Sequence, residues 1–261
     1  MPPFVTFLSD FGAGDQFAGI CHGVINRVCP EAVVIHLGHG IEPQSVGQGA
    51  RILAGAMPYL PVGVHMAVVD PGVGSERRGV VLRSADGRLF VGPDNGLLVP
   101  AAEACGGIEL AVELTNREYM LDQVSHTFHG RDVFSPVAGH LADGLDPREL
   151  GPEVDPPTLV RPQLLGFERD GTALGAIVQH VDRFGNIQLS VGRDAVADVF
   201  QAGLYARHSF GPTAPSGRRC HGPRSLDLPP SSRWRRLRRN GIALCPHGRD
   251  RWAAAAHHAE P

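Results

Sequence analysis

A chain of 261 residues with 43% apolar residues, 20% charged residues and 33 glycines is long enough to bury a sizeable core, and reads as globular with many tight turns. All 24 basic residues are arginine, which excludes a Schiff-base lysine and a phosphate-loop lysine. The formal net charge of −3 hides two unlike segments: residues 1–204 hold 13 Arg against 24 acids, a net of −11, and residues 205–261 hold 11 Arg against 3, a net of +8.

No apolar run approaches the roughly 18 residues of a membrane span. The opening MPPFVTFLSDFG has no basic segment ahead of its apolar run, so no signal peptide is expected. Cys21, Cys29, Cys105, Cys220 and Cys245 form no CxxC pair and read as reduced thiols, which fits a cytoplasmic location.

In chain order, Pro3 to Leu8 is a buried-strand candidate ending at Ser9-Asp10-Phe11-Gly12. Phe17, Ile20, Cys21, Val24, Ile25 and Val28 recur at helical spacing and mark one apolar face, which Pro30 ends. Ala32 to Leu37 is a second buried strand. A helix is expected from about Pro43 to Met57, with Val46, Ala50, Leu53 and Met57 inward. Val64 to Val69 is a third strand, ending at Asp70-Pro71-Gly72. Val80–Leu82 and Leu89–Val91 form a hairpin candidate across Asp86-Gly87. The proline-rich stretch from Gly151 to Pro162 reads as a linker, and Leu174 to Val181 as a strand of a second domain. The expected fold class is α/β: a parallel-rich α/β sandwich over residues 1–160 and a smaller β-rich domain over 166–261. In such sheets ligands sit beyond the carboxyl ends of strands, where Asp10 and Asp70 fall.

Each motif has two readings. Asp10 is a turn cap or a carboxylate that accepts both hydroxyls of a ribose diol. Asp70 and Arg77 bracket the glycine-rich turn VVDPGVGSERR as a structural ion pair or a directed charge pair at a site. Asn95, in FVGPDNGLL, is a turn residue or a ligand contact. His129 stands among polar neighbours before a helix, structural or functional. Asp182 and Asn186 flank Phe184-Gly185 as a β-turn or as groups for an amino acid's ammonium and carboxylate.

The order of FLSDFG, VVDPGVGSERR, FVGPDNGLL, TFHGRDVFSPVAGHLADG and HVDRFGNIQLS resembles one family, from about Thr6 to Ser190: the S-adenosyl-L-methionine hydrolases that form adenosine, relatives of the fluorinating and chlorinating enzymes. The resemblance implies an Asp-Arg-His triad at Asp70, Arg77 and His129, and a ribose contact at Asp10. It also implies methionine contacts at Asp182 and Asn186, with Phe184 packed nearby. Gly130 stands where the fluorinating enzyme has a halide-contacting serine, so water is the expected nucleophile. The implied assembly is a homotrimer with each site between two subunits, with S-adenosyl-L-methionine as substrate and no metal or organic cofactor, membrane or nucleic acid as partner.

The chain departs from the family at His36-Leu37-Gly38-His39, where an aspartate is usual, and at Ser45, where an acid is common. Beyond about residue 205 the family's apolar alternation is missing and Arg233, Arg235, Arg236, Arg238 and Arg239 cluster. That end reads as a shifted frame in GC-rich DNA, or as a genuine basic tail for an acidic partner. Two other functions remain open: a metal-dependent phosphoester hydrolase using Asp10, Asp70, Asp94 and His129, and a non-catalytic nucleoside-binding protein. Sequencing independent clones across residues 195–261 separates the readings of the tail; the expected outcome is a one-base slip, and an intact frame in every clone removes it.

Overall fold

The computed structural model describes residues 2–162 and, beyond them, the backbone of five strands. The chain divides into two compact units, Met1–Gln163 and Leu164–Pro261.

In the first unit, β1 (Phe4–Ser9), β2 (Val33–Gly38), β3 (Val64–Val68), β4 (Gly79–Ser84), β5 (Leu89–Pro93) and β6 (Ile108–Glu113) form one sheet in the order β2-β1-β3-β5-β4-β6. The strands β2, β1, β3 and β5 are mutually parallel, and β4 runs against both of its neighbours. The carboxyl ends of β1, β3 and β5 therefore share one edge. After β1 the chain moves to one side to form β2 and then crosses to the other side for β3, so a crevice opens beside β1 at that edge.

Helices α1 (Phe17–Val28) and α4 (Ser135–Ala142) cover one face of the sheet; α2 (Val46–Ala56) and α3 (Val99–Ala104) cover the other. The alternation of a strand divides β3 between the two cores. Met66 and Val68 pack with Cys21, Ile25 and Val137, while Ala67 packs with Leu53 and Leu97. At the crossing of α1 and α4, a Cβ on Gly139 would lie 2.7 Å from Val28 Cβ, so glycine permits the close approach. The β4–β5 hairpin turns at Asp86-Gly87 as the sequence implies, with Gly87 at φ 84°. Cys21, Cys29 and Cys105 are buried free thiols.

In the first unit the structure differs from the sequence reading in four places. On α1 the buried stripe is Ala18, Cys21 and Ile25, whereas Phe17 and Ile20 are 40% and 37% exposed. Two small residues face the sheet because the helix lies close to it, and the larger apolar side chains dominated the periodicity. Strand β2 is an edge strand with Val33 exposed, so it is not fully buried. Helix α2 starts at Val46 because Gln44 adopts φ 64°, which breaks the helical path. The proline-rich stretch is docked on the first unit: Glu113 N donates to Pro152 O, Val154 N donates to Ala111 O, and Leu159 is buried. Its prolines suit this course because it adds to the sheet edge without continuing a full ladder.

In the second unit, β7 (Glu168–Asp170), β8 (Ala173–Val181), β10 (Tyr205–His208) and β11 (Gly241–Cys245) form an antiparallel sheet in the order β10-β11-β8-β7. Strand β9 (Ile187–Leu189) pairs with β8. The parallel-rich first unit and β-rich second unit are the α/β class the sequence implies. Strand β11 lies where the sequence shows no alternation; Gly-Ile-Ala-Leu-Cys is too short a run for a period to register. Among the described residues no helix is long and apolar enough to cross a membrane.

Phe90, near the amino end of β5, is fully buried between β3, β4 and the α2–α3 layer, at the opposite end of that strand from Asp94 and Asn95. Phe90→Ala should lower unfolding stability by about 3–5 kcal/mol in a denaturant titration, the usual cost of emptying a buried aromatic site.

Candidate active site

The shared edge collects the chemistry. Asp10 follows β1 directly, Asp70 lies two residues past β3, and Asp94-Asn95 follows β5. Between Asp70 and Arg77 the chain makes a compact turn. Val73 N donates to Asp70 O, and Ser75 N and Oγ donate to Gly72 O. Gly74, at φ 77°, is pressed against the backbone of His126; an added Cβ would be 2.3 Å from His126 O. That approach brings the turn against the segment carrying His129.

Arg77 then joins the two segments. Its Nε lies 3.0 Å from both carboxylate oxygens of Asp70, and its Nη2 lies 2.5 Å from Asp70 Oδ2 and 2.8 Å from His129 Nδ1. The pair is largely buried, with side-chain exposures of 12% for Arg77 and 5% for Asp70. The guanidinium also stacks over Phe134, 5.2 Å from its centroid. A guanidinium has only donors, so His129 Nδ1 must accept, and the neutral ring carries its proton on Nε2. Burial first, and the Arg77 charge second, hold the His129 pKa below its ordinary value of 6.5.

A second carboxylate fixes that histidine's loop. Asp132 is fully buried, accepts from Ser125 N at 2.9 Å and Ser125 Oγ at 2.7 Å, and pairs with Arg131. These bonds keep its carboxyl below the usual range against the opposing effect of burial. His129 leads into a π-helical turn at Gly130–Phe134. There a Cβ on Gly130 would meet Phe11 Cζ at 2.9 Å, and Phe11, Phe17 and Phe128 form a cluster of edge-packed rings.

Asp10 Oδ2 accepts from Gln44 N at 2.9 Å, a bond presented by the left-handed backbone of Gln44. Asn95 turns its amide to the backbone: Nδ2 donates to Val69 O and Oδ1 accepts from Leu97 N. Asp94 is held by Arg78 and by Val160 N. The phosphoesterase ligand set therefore does not assemble, because guanidiniums occupy Asp70 and Asp94. Among the described residues no three His, Cys, Asp or Glu side chains are placed to hold a metal ion. Asp182, Phe184 and Asn186 lie outside the described residues.

The sequence reading joined Asp70 to Arg77 and singled out His129. It missed Gln44, whose backbone conformation leaves no mark in the sequence. It also missed Asp132, whose only signal is a charge immediately ahead of the largely apolar run Val133-Phe134-Ser135-Pro136-Val137. A cavity of about 570 Å³, bounded by Arg77, Arg78, Glu113, Arg117 and His126, opens onto His129.

The fold is a parallel-rich α/β domain whose Asp-Arg-His cluster lies by the carboxyl ends of its strands, the edge at which sheets of this class take ligands. Residues 5–151 match the family described as SAM hydroxide adenosyltransferase N-terminal domain, and the chain belongs to that family. It is 46% identical over 219 residues to the (R)-S-adenosyl-L-methionine hydrolase of Salinispora tropica, covering 82% of this chain and 84% of that protein. It is 50% identical over 190 residues to the protein of that name from Salinispora arenicola, covering 72% of each. An uncharacterized conserved protein from Thermotoga maritima matches in structure with a TM-score of 0.71 at 31% identity, over 78% of this chain and 79% of that one.

Gly74→Ala should push the turn away from His126 and pull Arg77 off His129. In a crystal structure of the variant, the Arg77–His129 bond should be lost while the Asp70–Arg77 pair persists.

Proposed function

We propose that this protein hydrolyses S-adenosyl-L-methionine at the ribose C5′ carbon, giving adenosine and L-methionine. The observation that carries the reading is the Arg77 guanidinium bonded to both Asp70 and His129, in a chain nearly half identical to named hydrolases over most of its length.

The sulfonium makes the leaving thioether neutral, so no acid is required at sulfur. What the site must supply is a nucleophile, since free water with a pKa near 15.7 is a poor one. With Nδ1 committed to Arg77, His129 has only its Nε2–H to offer. Arg77 and His129 then act as two donors to one oxygen and stabilise it as hydroxide once its proton has left, and the hydroxide forms the C5′–O bond as the C5′–S bond breaks and its electron pair leaves with the thioether. The released proton goes to solvent. Asp70 orients the guanidinium. Asp10 takes the ribose diol, and Asp182, Asn186 and Phe184 hold the methionine end. Asn95 acts by fixing Val69, and through it Asp70. We place the reaction in a cytoplasmic homotrimer that needs neither metal nor organic cofactor, and a frame slip beyond about residue 205 accounts for the basic tail.

Incubation of the purified protein with S-adenosyl-L-methionine, with and without chelator, should release adenosine and methionine in equal amounts in both cases. Adenosine binding without turnover would instead favour the nucleoside-binding reading. Arg77→Ala and His129→Ala should each lower turnover at least about tenfold, within the range for removal of a positioned proton-transfer or donor group. Unchanged turnover in both removes the mechanism. The lowered His129 pKa sets the sign of the acid limb: kcat is full above pH 6.5 and falls only as pH drops through the lowered value, when Nδ1 protonates and repels Arg77.

A further inference from the structure

Outside the triad the first unit holds a second polar chain. His22 on α1, His36 on β2 and His39 just past β2 stand in a row. His22 Nδ1 is 2.9 Å from His36 Nε2, His36 Nδ1 is 2.7 Å from His39 Nε2, and His39 Nδ1 is 2.7 Å from Ser9 Oγ. The Phe7 ring packs edge-on against His39 at 4.7 Å. The inner end of the row sits on the segment that bears Asp10. Ser9 Oγ accepts from Phe11 N, and the carbonyl of His39 accepts from Gly12 N at 2.7 Å. His39 thus ties the loop after β2 to both sides of Asp10, and the same loop supplies Gln44 N to the Asp10 carboxylate.

Proton counting limits this row. Each nitrogen–nitrogen junction holds one proton; with two, the N–H groups face each other. Three neutral imidazoles bring three N–H groups. Two fill the junctions and the third sits either at the Ser9 contact or on the outer Nε2 of His22. One added proton fills the remaining place with every bond kept. A second one must break a junction.

We propose that this imidazole ladder is the positioning element of the Asp10 loop, and that protonation beyond a single added proton unlatches the loop. Among the described residues the titratable groups acting on His36 and His39 are the row's own members: α1 supplies His22, β2 His36, the following loop His39, and β1 the neutral Ser9 and Phe7. Burial drives His39 down to about 4 and lowers His36, with the neighbouring imidazole the second cause in each case. Because both values are depressed, the ladder's contribution is complete above pH 6.5 and is lost as pH falls toward about 4.

The consequence for substrate rests on Asp10 holding the ribose, so one arm of the test does not use turnover. In amide spectra of the full chain, the Gly12 and Gln44 signals should move in step with the His39 ring as pH is lowered. At neutral pH they should already be displaced in His39→Ala and largely restored in His39→Asn, whose carboxamide puts a polar atom in the place of Nδ1 beside Ser9. Signals that ignore the histidine titration, or that are identical in His39→Ala and wild type, overturn the proposal. In the second arm, His36→Phe should raise KM for S-adenosyl-L-methionine about five- to tenfold with kcat nearly unchanged, the factor that loss of one ordinary hydrogen bond gives. A fall in kcat at constant KM overturns it too. A wild type without turnover would count against the hydrolase reading alone, since the amide arm still decides the ladder.

Discussion

The site depends on one guanidinium shared between two chain segments 52 residues apart. Arg77 spends its Nε and one edge on Asp70 and turns Nη2 to His129 as well. Because an arginine cannot give up its proton at any pH the fold survives, it fixes three things together. These are the orientation of the Asp70 carboxylate, the tautomer of His129, and the distance between the β3 turn and the helix-entry loop. A lysine in its place would offer no flat edge for the carboxylate and no second nitrogen aimed at the ring.

The rest of the first unit serves this contact by bringing strand ends together. Parallel β1, β3 and β5 deliver Asp10, Asp70 and Asn95 to one edge. The Asp132–Ser125 bonds stiffen the loop that carries His129, and Gly74 allows the turn to touch that loop. Buried polar groups such as Asp132 are costly unless fully bonded, so their use here exchanges stability for a fixed geometry. The histidine row does the same for Asp10 at the far side of β1.

Much of this was legible in the residues. A strand of β-branched and aromatic residues followed at once by aspartate located the site edge twice, at Asp10 and Asp70, since strand periodicity is local. The Asp70–Arg77 contact was legible because a glycine-rich turn of that length closes on itself. The His129 contact was not, because it depends on how α4 and the β3 turn meet, which no local pattern encodes. The histidine row was invisible for the same reason, with His22 and His36 on different elements. The stretch from Gly151 to Pro162 misled because its prolines mark a break in regular structure whether the chain is free or docked; the buried Leu159 was the overlooked anchor. Phe17 and Ile20 misled in the opposite way, since large apolar side chains weigh more in a periodicity than the Ala18 and Cys21 that face the sheet.

Arg77 and Arg78 are consecutive, yet one serves Asp70 and His129 while the other serves Asp94 and the carbonyl of Thr158. They enter β4 side by side, and the pairing of Val81 with Val91 and Val112 fixes which of them arrives where. A slip of one residue in that pairing would present the wrong arginine to the histidine while leaving the composition of the edge unchanged. Strand register in the middle of the sheet is thus a chemical variable here. A single-residue insertion or deletion between Arg78 and Val81 would be read out at the reacting water, through a core that still looked intact.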